Sequence, residues 1–225
     1  MIKSCFLFLV VFVPSLLTDG TTFMGKIQKA YTEPKTLSFD GQIKFYSDVN
    51  STSPAEIMSI VYQREGINLH IEIGNQIIIY DGKTNIVVEP DKQTIYLSTK
   101  KVVADKKFSP VGQIEEIVKQ GQFEFKEEDY LGNQKKMTIN SPSRSKSVME
   151  FLYDPKTYYI NFARMVIDGN EMLTDERLNH KKLEYSYYNY KSKLEHKISV
   201  APYIKKEGKK FVGTGNYSKY KIVVL

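Results

Sequence analysis

The sequence predicts a mainly β protein: a strongly curved antiparallel sheet, or incomplete barrel, covered by one short N-terminal helix and one central helix. Three observations carry this. Apolar and polar residues alternate at the period of a half-buried strand in segment after segment. Turn residues punctuate these segments, above all Asp81-Gly82 between Ile77-Ile78-Ile79-Tyr80 and Ile86-Val87-Val88. Only two stretches repeat at helical spacing. So many strands with so little helix must curl to bury their apolar face, and that shape encloses a concavity.

The chain opens with Lys3, the eight-residue apolar run Phe6 to Val13, and Pro14 to Gly20, the three regions of a secretory signal. Such a run is too short for a bilayer span, which needs ~20 residues. Cleavage near Gly20 leaves a signal peptide over 1–20 and one domain over 21–225. Because Leu17-Thr18-Asp19-Gly20 lacks a small-x-small pattern, an uncleaved anchor is the competing reading. The one cysteine, Cys5, precedes the cleavage point. It cannot be the lipidated first residue of a lipoprotein, and the exported domain must rest on its core without disulfides.

Thr22 to Tyr31 places Phe23, Ile27, Ala30 and Tyr31 at helical spacing, and Glu33-Pro34 ends that helix. From Leu37 the period becomes two: Leu37, Phe39, Gly41, Ile43 and Phe45 share one face, and Ser38, Asp40, Gln42 and Lys44 the other. Met58, Ile60 and Tyr62 mark a second strand, and Ile67, Leu69, Ile71 and Ile73 a third. Gly74-Asn75 and Asp81-Gly82 turn the chain twice. Asp-Gly favours a type I′ turn, in which both central residues take positive φ. After Pro90-Asp91-Lys92 another strand runs over Gln93 to Leu97, completing an antiparallel meander.

Ser109-Pro110 then opens a helix with an apolar stripe of Ile114, Ile117 and Val118, which Gly121 stops. Strands are predicted over Gln122 to Glu127, Lys135 to Asn140, Ser147 to Tyr153, Thr157 to Ile167, Lys182 to Tyr190 and Leu194 to Val200. Turns fall at Leu131-Gly132-Asn133, Asp154-Pro155-Lys156 and Asp168-Gly169-Asn170. Tyr220 to Leu225 is a closing strand.

The concavity has aromatic and branched aliphatic residues to line it, for the chain holds 16 Tyr and 12 Phe but no Trp. In Tyr185-Ser186-Tyr187-Tyr188-Asn189-Tyr190 the rings fit either cross-strand packing or ligand stacking. Net charge is +6, with lysines gathered in clusters such as Lys205-Lys206-Glu207-Gly208-Lys209-Lys210. Export and the lack of a recognition motif favour solvated hairpin tips over a nucleic-acid patch; attraction to an anionic membrane or acidic partner is compatible with them.

Catalytic constellations are missing. His70, His180 and His196 are far apart and without a companion cysteine, so no metal set or Cys-His pair forms in the sequence. Gly213-Thr214-Gly215 lacks the helix and lysine of a phosphate loop and reads as a hairpin tip. A non-enzyme without metal or cofactor is expected.

The short N-terminal helix, the meander with its Asp81-Gly82-Lys83-Thr84 hairpin, the Pro90-Asp91 corner, the amphipathic helix and the later strands resemble the LolA-like periplasmic lipoprotein carrier superfamily, most specifically over Ile77 to Leu97. The resemblance implies a half-open β-barrel lidded by helices that holds lipoprotein acyl chains and passes them from an inner-membrane transporter complex to an outer-membrane receptor. It further implies an arginine on an early strand that holds the lid by hydrogen bonds. Arg64 sits at a comparable position, although Glu65-Gly66 follows it where the family has proline; an exposed turn arginine is the alternative.

A soluble, monomeric periplasmic carrier of an acylated lipoprotein or lipid, with no nucleic-acid partner, is therefore expected. Leu37, Phe39, Ile43, Phe45, Ile71, Ile77, Ile79 and Ile95 would line the trough, and Arg64, Ile114, Ile117 and Val118 would serve the lid. Two alternatives stay open: an envelope sensor or regulatory module on the same scaffold, and a secreted structural or adhesive β-protein without ligand.

Overall fold

The computed structural model describes residues 23–99, 124–140, 148–166 and 182–225. Helix α1 (Phe23–Thr32) leads into strands β1 (Thr36–Tyr46), β2 (Glu56–Glu65), β3 (Asn68–Ile73), β4 (Gln76–Tyr80), β5 (Asn85–Glu89) and β6 (Thr94–Ser98). Then come β7 (Glu124–Asp129), β8 (Lys135–Asn140), β9 (Val148–Tyr153), β10 (Ile160–Val166) and β11 (Lys182–Lys191). A hairpin of β12 (Ile204–Glu207) and β13 (Lys210–Gly213) precedes the last strand, β14 (Lys221–Val224). The expected central helix with Ile114, Ile117 and Val118, the signal segment, and the turn at Asp168-Gly169-Asn170 lie outside the described residues.

Twelve strands make one sheet in the order β14-β6-β5-β4-β3-β2-β1-β11-β10-β9-β8-β7. β1 is its pivot, pairing with β2 on one side and with the sequence-distant β11 on the other, so it fuses the meander β1–β6 to the meander β7–β11. The last strand does not close the sheet. β14 runs parallel to β6 and adds a new edge, leaving a large curved sheet that is open, a half-open barrel.

The curl is toward one face. Leu37, Phe39, Tyr62, Leu69, Ile71, Ile78 and Tyr80 of β1–β4 and Met137, Ile139, Met149, Phe151, Tyr153 and Tyr187 of β8, β9 and β11 belong to a single buried cluster around Met24, Ile27 and Tyr31 of α1. Only a sheet bent around α1 brings strands from both arms onto one ten-residue helix. α1 therefore lies in the concavity, with Met24, Ile27 and Tyr31, at i, i+3 and i+7, turned to the sheet. Gly41, in the middle of β1, gives this face room: a Cβ there would stand 2.8 Å from the Ser186 carbonyl and 3.1 Å from the Tyr187 ring.

The convex face differs between the two arms. On β7–β11 it is a charge ladder, Lys136–Glu150 at 3.1 Å, Arg164–Glu150 at 3.2 Å and Arg164–Glu184 at 3.2 Å. On β4–β6 it is apolar. Ile79, Ile86, Val88, Ile95 and Leu97 form a second core there with Ile198 and Ile204, sealed by the C-terminal segment and its β12–β13 hairpin.

Local expectations were modified by packing. The hairpin joining β4 and β5 spans Asp81 to Thr84, and positive φ is confined to Gly82, at 89°. The type I′ turn on Asp81-Gly82 is thus replaced by a tip on Gly82-Lys83. The Asp81 carboxylate accepts from the Lys83 and Thr84 amides at 3.2 and 2.9 Å, which holds that geometry. Ile67 does not join the alternation of β3; it is exposed in the preceding turn. Leu194 to Val200 is irregular rather than a strand, because side-chain burial against the second core, not pairing, fixes it. Gly213-Thr214-Gly215 is not the hairpin tip, which is at Gly208-Lys209; Gly213 ends β13 where the Tyr217 carbonyl folds back onto it.

Candidate functional site

Beyond the footprint of α1 the concave face continues as an apolar surface across β1, β2, β10 and β11. The register aligns Ile43 with Met58 and Tyr185, Phe45 with Leu183, Leu183 with Met165, and Gly41 with Ile60 and Tyr187. Ile43, Phe45 and Leu183 are buried at its floor, while Met58, Ile60, Met165 and Tyr185 around them are half-buried. Two methionines give such a wall unusual freedom to adapt its shape, since the unbranched thioether side chain repacks at low cost. Tyr185 lies parallel to Tyr187, with ring centroids 6.2 Å apart. This surface is apolar and contains no charged side chain among those named.

At the other end, polar contacts hold the last turn of α1. Arg64, 5% exposed on β2, donates through Nη2 to the Tyr31 carbonyl at 2.7 Å and the Pro34 carbonyl at 2.9 Å. A guanidinium at this place meets the negative end of the helix and satisfies carbonyls that the helix leaves unpaired. The Tyr31 side chain makes a second anchor. The Ile160 amide donates to its hydroxyl at 3.0 Å, and the Tyr190 hydroxyl donates to the Ile160 carbonyl at 2.6 Å. These backbone partners fix the direction of the 2.6 Å contact between the two phenols: Tyr31 donates and Tyr190 accepts. The result is a closed ring of three hydrogen bonds.

A bulge makes that ring possible. Between Ser38 and Asp40 of β1 the β11 partners step from Lys191 to Tyr188, and Asn189 takes a positive φ of 56°. The extra residue turns Tyr190 to the same concave side as Tyr187. Tyr159 stacks on Tyr190 at 4.4 Å, and Phe39 stacks on Tyr62 at 4.7 Å, so the hydroxyls are enclosed by rings.

The eight residues expected to line one trough divide between two faces. Leu37, Phe39 and Ile71 are buried on the concave face in the α1 cluster, and Ile43 and Phe45 are buried farther along that face in a cluster with Leu183. Ile79 and Ile95, with Ile77 beside them, are on the convex face and belong to the second core. The continuous run Ile77-Ile78-Ile79 was the available signal, because a strand apolar at every position is buried on both faces. Arg64 is buried rather than an exposed turn residue, and it donates to the last turn of α1 at Tyr31 and to Pro34 just beyond it. Sequence reasoning missed Met58, Met165, Leu183 and the Tyr31–Tyr190 ring; the last was signalled only by an asparagine interrupting a tyrosine alternation.

The buried phenols make stability depend on alkaline pH. Burial pushes the hydroxyls of Tyr31, Tyr187 and Tyr190 well above their ordinary value, and that of Tyr185 up to about 12. A phenol with a raised folded-state pKa keeps its proton while the unfolded chain has lost it. The stabilisation is therefore complete below about pH 10 and declines above it, by about 1.4 kcal/mol per pH unit for each such group. Urea midpoints should be flat from neutrality to about pH 10 and fall steeply thereafter. A midpoint that stays constant to about pH 12 would show these phenols to be solvent-linked.

No protein-family model matches the chain, and no curated protein does. Among solved structures it is similar to a LolA superfamily protein from Nitrosomonas europaea, with 10% identity, a TM-score of 0.31, and 75% of this chain and 91% of that one covered. It is also similar to a DUF1329 family protein from Desulfovibrio piger, at 9% identity and a TM-score of 0.38, covering 80% and 93%. The Pseudomonas aeruginosa MucA/MucB complex gives 11% identity and a TM-score of 0.36, covering 75% of this chain and 55% of that one. At these values the likeness is one of general shape.

Proposed function

We propose that the protein is an exported, non-catalytic carrier that binds the acyl chain of a lipid or acylated lipoprotein on the concave face. The observation that supports this reading is the half-buried apolar surface of Met58, Ile60, Met165 and Tyr185 over the floor of Ile43, Phe45 and Leu183. Each methylene moved from water onto such a surface contributes about 0.8 kcal/mol, so a chain of several carbons is held without any charged site. In this reading α1 is the cover, tethered by the Arg64 contacts and the phenol ring, and the cargo moves from an inner-membrane transporter complex to an outer-membrane receptor through the periplasm.

A fluorescent fatty-acyl probe tests the reading. Ile60→Asp puts a carboxylate in the wall and displaces about three methylenes, so affinity should fall roughly 50-fold. Gln42→Asp, on the convex face of β1, should leave affinity unchanged. Equal binding by both variants, or no binding by the native protein, overturns the proposal. A sensor on this scaffold would bind the probe but would not deliver it to acceptor vesicles.

A further inference from the structure

Residues 191–225 hold nine lysines against two glutamates, a net charge of +7, although the whole chain carries only +6. The remaining 190 residues are thus almost neutral, at −1, and the positive charge of the protein belongs to its C-terminal segment. All nine lysines are exposed. Lys191 pairs with Glu195 at 3.0 Å and Lys205 with Glu207 at 2.7 Å. The other seven make no ion pair among the described residues. The segment is also one spatial unit: it covers the convex face from Ser38, Asp40 and Gln63 of β1–β2, where it lines a polar pocket, to the second core on β4–β6.

The chemistry of the segment selects its partner. It contains no arginine, so the forked, bidentate recognition of a single phosphate or base edge is missing. Its rings Tyr203, Phe211, Tyr217 and Tyr220 pack inward on the second core and offer no platform for stacking bases. What remains is a field of mobile point charges, strongest at the projecting tip with Lys205, Lys206, Lys209 and Lys210. Such a field matches a diffuse anionic plane. We propose that this C-terminal unit docks the protein, convex face first, on a membrane rich in anionic lipid. Docking in this orientation leaves the concave face free. The proposal does not depend on the acyl-binding reading, and its test is separate.

The test is co-sedimentation of the full chain with phosphatidylcholine vesicles and with vesicles containing phosphatidylglycerol. Each lysine near such a surface contributes about 1 kcal/mol, so replacing four of them, Lys205→Gln, Lys206→Gln, Lys209→Gln and Lys210→Gln, should weaken partition into the anionic vesicles at least about 100-fold. The native protein should prefer the anionic vesicles and lose that preference as salt is raised toward about 1 M, where the screening length is only about 3 Å. Residues 1–20 are common to both forms, so the contribution of the apolar N-terminal run cancels in their ratio. The melting temperature and acyl-probe affinity of the variant should match the native values. Unchanged partition of a folded variant, or equal binding of the native protein to both vesicle types, overturns the proposal. So does release from the vesicles by substoichiometric duplex DNA or an acidic protein, which would assign the surface to that partner.

Discussion

Arg64→Met should lower the stability of the protein by about 3 kcal/mol and release the C-terminal turn of α1. Methionine keeps most of the volume of the site but removes both hydrogen bonds from Nη2 to the Tyr31 and Pro34 carbonyls. Charge-assisted hydrogen bonds contribute about 1.5–3 kcal/mol each. Relief of the desolvated guanidinium offsets part of that loss, which is why the net effect is put below the sum. Arg64→Lys should recover only a fraction, since an ammonium cannot reproduce the planar fork. Urea titration gives the stability change, and amide exchange locates it. Protection should drop first in α1 and not in β8 or β9. A variant as stable as the native protein would show that the helix is held by Ile27 and its apolar neighbours alone.

The same substitution bears on the proposed carrier role. If α1 covers the concave face, weakening its tether should raise affinity for a fluorescent acyl probe while stability falls, because less free energy opposes displacement of the cover. A binding surface that does not involve α1 would lose stability without any gain in affinity. The two readouts moving in opposite directions is a signature that simple destabilisation does not produce.

The contrast between Arg64 and the apolar residues marks what a sequence of this kind reveals. Alternation located the strands and their faces wherever one face meets water, as on β1, where Leu37, Phe39, Ile43 and Phe45 all turn to the concave side. On β4 both faces are apolar, so alternation assigns no side to Ile77 and Ile79, and on β5 and β6, where it does operate, the apolar side of Ile86, Val88, Ile95 and Leu97 is the convex one; Ile77, Ile79 and Ile95 thus stand on the opposite face from the other expected trough residues. Their convex cover comes from Ile198 and Ile204, more than a hundred residues later. The family resemblance drew attention to Arg64, but the helix it engages is set by tertiary contact. Nothing local to Tyr31 announces Ile160 or Tyr190. A hydrogen-bonded ring closed across 129 residues of separation depends on where β10 and β11 fall, and the bulge at Asn189 is its one local trace.

That ring leads to the second large effect. Tyr31→Phe removes the acceptor for the buried Ile160 amide and should cost about 2 kcal/mol, because an unsatisfied buried donor bears its full desolvation penalty. Tyr190→Phe leaves the Ile160 carbonyl without its donor and should cost about the same. The double variant should be less damaging than the two losses together by about 1 kcal/mol, since the Tyr31–Tyr190 bond is lost once in either route and ring members polarise one another. A double-mutant cycle by urea titration measures this coupling directly; strictly additive losses would show that the two hydroxyls act independently. Both anchors meet at one residue, for the Tyr31 carbonyl engages Arg64 on β2 while its hydroxyl engages β10 and β11. Two polar anchors therefore converge on the C-terminal turn of α1, and Phe23 at the opposite end packs on the Tyr153 ring at 5.0 Å. Amide exchange locates the loss: Tyr31→Phe should lower protection first in the C-terminal turn of α1, where both anchors meet.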